Sequence, residues 1–140
     1  MRVRQDYARM GRILVIDDDA EMRAMLRETL TSAGHEVALS ADGKEGIKQY
    51  REKPADLVIT DIFMPTQEGL ETIIKLRRYY PSLPIIAISG NSAAARPMLT
   101  VAQQLGATAI LQKPFFPPEL LAVVEKILPS GRVANGPVAG

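Results

Sequence analysis

"ILVIDDDAEMRAML", residues 13–26, is the stretch on which the reading of the fold turns. Four apolar residues, Ile13 to Ile16, run straight into Asp17, Asp18 and Asp19, after which Met22, Met25, Leu26 and Leu30 recur at helical spacing. A run that is apolar at every position reads as a strand covered on both faces, and the change to a 3.6-residue period marks a strand-to-helix junction. One aspartate is enough to cap a helix. Three side by side disfavour one another's ionisation, so the surplus calls for a cation or some other reason.

The same alternation continues along the chain. Short β-branched runs appear as "RILVI" (12–16), "EVALS" (36–40), "DLVIT" (56–60), "PIIAIS" (84–89) and "ATAIL" (107–111), with helical patterns between them. The first helix stops before Gly34. The second, near "DGKEGIKQYREK" (42–53), carries Gly46 at a cost of about 1 kcal/mol relative to alanine. The third presents Leu70, Ile73 and Ile74 and is closed by Pro81. Pro97 cannot supply an interior backbone donor, so the fourth helix is expected to start at about Pro97, leaving a long loop from Gly90 to Arg96. "PPELLAVVEKIL" (117–128) opens on prolines suited to a first turn and places Leu121, Val124 and Leu128 on one face. Five alternations predict an α/β domain, a doubly wound five-stranded parallel sheet over residues 12–128. Residues 1–11 are expected to be a flexible leader and the Gly/Pro-rich residues 129–140 a flexible tail.

Composition narrows the function. The 140 residues contain no cysteine, which excludes disulfides and thiolate metal sites and fits a reducing cytoplasm. Seventeen Lys and Arg against sixteen Asp and Glu give a formal charge of +1, no electrostatic footprint for nucleic acid. The basic leader precedes only the apolar run Ile13–Ile16, far short of the roughly 7–15 residues of a signal-peptide core, and no segment reaches the roughly 18 apolar residues of a membrane span. The expected protein is cytoplasmic, without membrane insertion.

Ligands of open parallel sheets bind beyond the carboxyl ends of the strands. There the sequence places Asp17 and Asp18 after the first strand, Asp61 after the third, Ser89 after the fourth and Lys113 after the fifth. Singly, these could be a helix cap, turn residues and a solvated loop lysine. Together they describe a phosphoryl-accepting site. Carboxylates hold Mg²⁺, an aspartate can attack phosphorus, and an ammonium and a hydroxyl can meet the phosphoryl oxygens. Asp61, at the central strand, is the chosen acceptor.

"VIDDD" (15–19), "DLVITDIFMPTQEGLE" (56–71), "IIAISG" (85–90) and "GATAILQKPF" (106–115), in that order, resemble the receiver domain of two-component response regulators. The resemblance implies a flavodoxin-like (βα)5 fold of strand order 2-1-3-4-5. It also implies that Asp61 is the phosphorylated residue and that Mg²⁺ is held by Asp18, by Asp17 through water, by Asp61 and by the carbonyl of Phe63. Ser89 would swing toward the phosphoryl group and Lys113 would pair with it. Asp19 matches a variable position and is read as the cap. Lys113-Pro114 resembles the family's cis peptide, while Met64, Pro65 and Gly69 shape the loop after the acceptor. The implied partners are a sensor histidine kinase or histidine phosphotransfer protein and a downstream protein, with no direct nucleic-acid binding. No effector pattern follows Leu128, so the module is expected to stand alone unless the chain is a fragment of a longer regulator, and to act as a switch, not as an enzyme with an external product.

One family feature is missing. Three positions before the lysine, where the family often carries an aromatic switch residue, stands Ile110. The rival readings are weaker. A phosphohydrolase resembling haloacid dehalogenases would need an aspartate two residues after the nucleophile, where Phe63 stands. A nucleotide or flavin binder would need a glycine-rich phosphate loop that the sequence lacks. A receiver that folds without switching is disfavoured by the presence of all five site residues.

Overall fold

The computed structural model describes residues 10–62, 68–90 and 92–129. The strands are β1 (Arg12–Ile16), β2 (Glu36–Ser40), β3 (Leu57–Asp61), β4 (Ile85–Ser89) and β5 (Ala109–Gln112), and the helices α1 (Ala20–Ser32), α2 (Gly43–Glu52), α3 (Glu68–Tyr79), α4 (Arg96–Leu105) and α5 (Pro117–Ile127). They alternate without exception. The strands form one parallel sheet of order β2-β1-β3-β4-β5, the flavodoxin-like order implied by the resemblance.

Successive residues of the inner strands feed opposite faces. Leu14, Ile16, Val58, Ile85 and Ala87 pack with Ile47 and Tyr50 of α2, Ile73 and Leu76 of α3, and Leu99 and Ala102 of α4. On the other face Ile13, Val15, Leu57, Ile59, Ile86 and Ile88 meet Leu26 and Leu30 of α1 and Leu120 and Val124 of α5. This double coverage is why the strands are apolar at nearly every position.

Helix starts follow local chemistry. Asp19 caps α1 as expected, its carboxylate accepting from the Glu21 amide at 2.9 Å, and Asp42 caps α2 by accepting from the Glu45 amide at 2.7 Å. Gly34, at φ +99°, takes the left-handed conformation that ends the first helical unit. Helix α4 begins at Arg96, so Pro97 lies in its first turn, where no donor is required. The hydroxyl of Ser92 accepts from the Ala95 amide at 3.0 Å and shapes the approach to it. Gly46 proves to be a packing requirement, since a Cβ there would lie 2.5 Å from Cδ1 of Ile16.

Two helical faces differ from expectation. Ile74 is 38% exposed, and the buried apolar side chains of α3 are Ile73 and Leu76, one turn apart. In α5 the fully buried residues are Leu120 and Val124, with Leu121 half-buried beside the core. The stripe Leu120, Val124, Leu128 keeps i, i+4 spacing, whereas Leu121 lies off its axis.

At the amino-terminal edge of the sheet, Gly11 is tied to β2. Its amide donates to Nδ1 of His35 at 3.2 Å and its carbonyl accepts from the Glu36 amide at 3.0 Å. His35 is buried, and that burial holds its imidazole below the ordinary value despite the charge of Glu125. Arg77 of α3 clamps the same end of the molecule. It donates to the Gly106 carbonyl from Nε (3.2 Å) and Nη2 (2.7 Å), and from Nη1 to the carbonyls of Tyr80 (3.2 Å) and Pro81 (2.8 Å).

Candidate functional site

The carboxyl edge of the sheet carries the polar residues expected there. The Asp17 amide donates to the Ser40 carbonyl at 3.1 Å, which fixes the exit of β1 against β2. Asp61 is the last residue of β3, in register with Ile88, and the Lys113 amide donates to the Ser89 carbonyl at 2.7 Å. The main chain itself thus sets where the side chains stand.

Lys113 joins the carboxylates. Its Nζ lies 3.1 Å from Oδ2 of Asp61, a charge-assisted hydrogen bond, and 3.6 Å from Oδ2 of Asp17. One carboxylate oxygen from each of Asp17, Asp18 and Asp61 falls within 4.8 Å of the others. Asp17 and Asp61 are buried and Asp18 is exposed, so the cluster opens to solvent on the Asp18 side. Lys113-Pro114 is cis, as the resemblance implied. Phe63, Met64 and Pro65 lie outside the described residues. Gly69 is buried where a Cβ would meet the carbonyl oxygen of Asp61 and Cα of Ile62, so the first turn of α3 rests directly on the backbone of Asp61.

The electrostatics follow from burial and crowding. Burial pushes the Asp17 carboxyl up to about 6; the amide of Asp19, donating to Oδ1 at 2.9 Å, opposes this, as does Lys113, while the charges of Asp61 and Asp18 add to it. For Lys113, burial acts downward, but Asp61 and Asp17 outweigh it and the net shift is upward. The ammonium therefore stays charged at neutral pH. Oδ2 of Asp17 and the fully buried hydroxyl of Ser89 have no hydrogen-bond partner among the described residues. Buried polar atoms normally do, and an orphaned carboxylate oxygen among three acids fits a hard divalent cation with oxygen ligands.

Sequence reasoning missed Arg23. From the first turns of α1 its Nη1 donates to the Asp17 carbonyl at 2.6 Å, bracing the acidic loop from outside. A signal was available, because a cation near a helix amino terminus opposes the helix dipole and needs another reason to be there.

A family model described as the response regulator receiver domain matches residues 13–125. The chain belongs to the response-regulator receiver domain family. The receiver domain is 36% identical over 117 residues to the chemotaxis protein CheY of Thermotoga maritima, covering 83% of this chain and 96% of that protein. It is also 36% identical over 118 residues to the DNA-binding transcriptional regulator NtrC of Azospirillum brasilense, covering 84% of this chain but only 24% of NtrC. Among solved structures it is similar to CheY4 of Vibrio cholerae, with a TM-score of 0.77 and 31% identity over 85% of this chain and 99% of that one. NtrX of Brucella abortus gives a TM-score of 0.78 and 27% identity over 84% of this chain and 27% of that one. The receiver domain thus spans nearly all of some relatives and about a quarter of others. No helix among the described residues is long and apolar enough to cross a membrane.

Proposed function

We propose that this receiver domain accepts a phosphoryl group on Asp61 from a phosphohistidine of a sensor kinase or phosphotransfer protein, and passes the resulting change of shape to a downstream protein. The observation that carries the reading is the position of the Lys113 ammonium, 3.1 Å from the Asp61 carboxylate and 3.6 Å from that of Asp17. An isolated turn lysine has no cause to enter a buried acidic cluster. A phosphoryl acceptor needs a cation there, to neutralise the charge that arrives with the group.

In the proposed step an oxygen of Asp61 attacks phosphorus in line with the donor's imidazole nitrogen. The phosphorus–oxygen bond forms as the phosphorus–nitrogen bond breaks, and the imidazole departs with the electron pair. Asp17, Asp18, Asp61 and the carbonyl of Phe63 would hold Mg²⁺, which when bound supplies positive charge to the phosphoryl oxygens and relieves the crowding of the carboxylates. Lys113 pairs with a phosphoryl oxygen, and the hydroxyl of Ser89, which has no partner among the described residues, donates to another. Capture of Ser89 reorders the loop beyond β4, a change of the segment-ordering kind. The domain modifies only itself and works in the cytoplasm, alone or joined to an effector. With Ile110 half-buried at the position of the family's aromatic switch, output does not run through rotation of a ring there.

Intact mass after incubation with Mg²⁺ and acetyl phosphate tests the reading. One added phosphoryl group, dependent on Mg²⁺ and absent in Asp61→Asn, supports it. An unchanged mass in a folded, cation-binding protein refutes it, and sustained hydrolysis of a phosphomonoester would favour the phosphohydrolase.

A further inference from the structure

Helices α2 and α3 run side by side on one face of the sheet and leave a groove of about 570 Å³ between their exposed ridges. Lys44, Lys48 and Arg51 stand along the α2 side, Lys75 and Tyr79 along the α3 side, and Ile47 reaches the floor. The spacings i, i+4 and i, i+3 place each set on one ridge. None of the four cations has an ion-pair partner among the described residues, although Lys53, just beyond the groove, is paired with Glu36. Tyr79 is 59% exposed, a large ring kept in water at the end of the groove.

We propose that this groove docks an acidic peptide segment of a partner protein, with carboxylates against Lys48, Arg51 and Lys75 and an apolar side chain on Ile47 and the ring of Tyr79. Charge complementarity selects the occupant. Unpaired cations flanking an apolar floor suit acidic side chains that alternate with apolar ones. The chain's own outer segments do not match, since residues 1–10 carry three arginines against one aspartate and residues 130–140 carry Arg132 and no acidic side chain. A nucleic-acid backbone is disfavoured by Asp42 and Glu45, which line the groove near the amino terminus of α2, and by Glu71 in the adjoining hollow, all of which would repel a continuous polyanion. The surface is separate from the acidic cluster, and its occupation does not depend on phosphorylation.

The test uses the full chain, isotope-labelled for amide NMR, titrated with a synthetic peptide of alternating glutamate and phenylalanine. The expected result is a set of shift changes confined to α2 and α3, a dissociation constant that weakens with salt, and at least tenfold weaker binding in the Lys48→Glu/Lys75→Glu double variant. Both substituted side chains are exposed, so an unchanged melting temperature and an unchanged mass gain with acetyl phosphate show that fold and acceptor site survive. Shift changes elsewhere, equal binding by the double variant, or equal binding of a peptide with lysine in place of glutamate overturn the proposal. Tighter binding of oligouridylate in the same groove, or concentration-dependent shifts there without peptide, overturn it in favour of nucleic acid or a second copy.

Discussion

Replacing Asp17 by asparagine is expected to stabilise the cation-free protein while destroying its ability to hold the cation. Burial raises the Asp17 carboxyl from 3.8 to about 6, so the folded protein holds this proton more tightly than the unfolded chain. Below 3.8 the carboxyl is protonated in both states and costs nothing by this route. Between 3.8 and about 6 the unfolded chain has released the proton and the folded protein has not, so stability falls as pH rises. Above about 6 the full penalty applies. At about 1.4 kcal/mol for each tenfold change in proton affinity it is about 3 kcal/mol, a balance that already contains the attraction of Lys113. Asparagine keeps the oxygen that accepts from the Asp19 amide and carries no charge to desolvate. Urea denaturation in chelator at pH 7.5 should therefore show Asp17→Asn more stable by about 3 kcal/mol, or roughly 10 °C in melting temperature, and by about half that at pH 5. Adding Mg²⁺ should stabilise the wild type through binding to the folded state and leave the variant nearly unmoved. A variant less stable than wild type at pH 7.5 without metal would refute the view that the acidic cluster is held at a cost to the fold.

Three further outcomes follow from the geometry. Gly69→Ala should cost about 1–3 kcal/mol, because its Cβ collides with the backbone of Asp61 and Ile62, and it should slow phosphoryl uptake in the intact-mass assay. Arg77→Ala should cost about 2–3 kcal/mol in urea denaturation, since it frees the carbonyls of Gly106, Tyr80 and Pro81, with Arg77→Lys recovering only part because an ammonium lacks the planar fork. His35 is held neutral by burial, so its contribution is complete above the ordinary value of 6.5 and is lost as pH falls through the depressed folded value; His35→Gln should flatten the stability profile in that range, read by thermal melts from pH 7.5 to 5.

The sheet was legible because its inner strands are buried on both sides, which leaves an uninterrupted apolar run that few other contexts produce. The strand ends were legible for a related reason, since charged residues abutting such runs can only stand at its edge. Strand order was not readable from periodicity and came with the family resemblance. The helix faces were partly misread where two apolar neighbours compete. Leu120 and Leu121 have the same chemistry, and only packing against the sheet selects the first. Ile74 lies as close to the apolar stripe of α3 as Leu76, and packing against β3 and β4 decides between them. Gly46 looked like a weakness in a helix because its reason, the side chain of Ile16, is distant in sequence. Arg23 and Arg77 act on main-chain carbonyls, and carbonyls leave no mark on a sequence.

β5 lies at the rim of the sheet, hydrogen-bonded to β4 alone, and all four of its residues are only half-buried. Yet the residue that follows it supplies the ammonium on which the charge balance of the acidic cluster rests. Detaching this one strand would take the positive charge away and leave three carboxylates facing one another. Under the proposed function, a molecule opened at this rim would lose the cation beside Asp61, and with it the means of neutralising an incoming phosphoryl group, without needing to unfold globally.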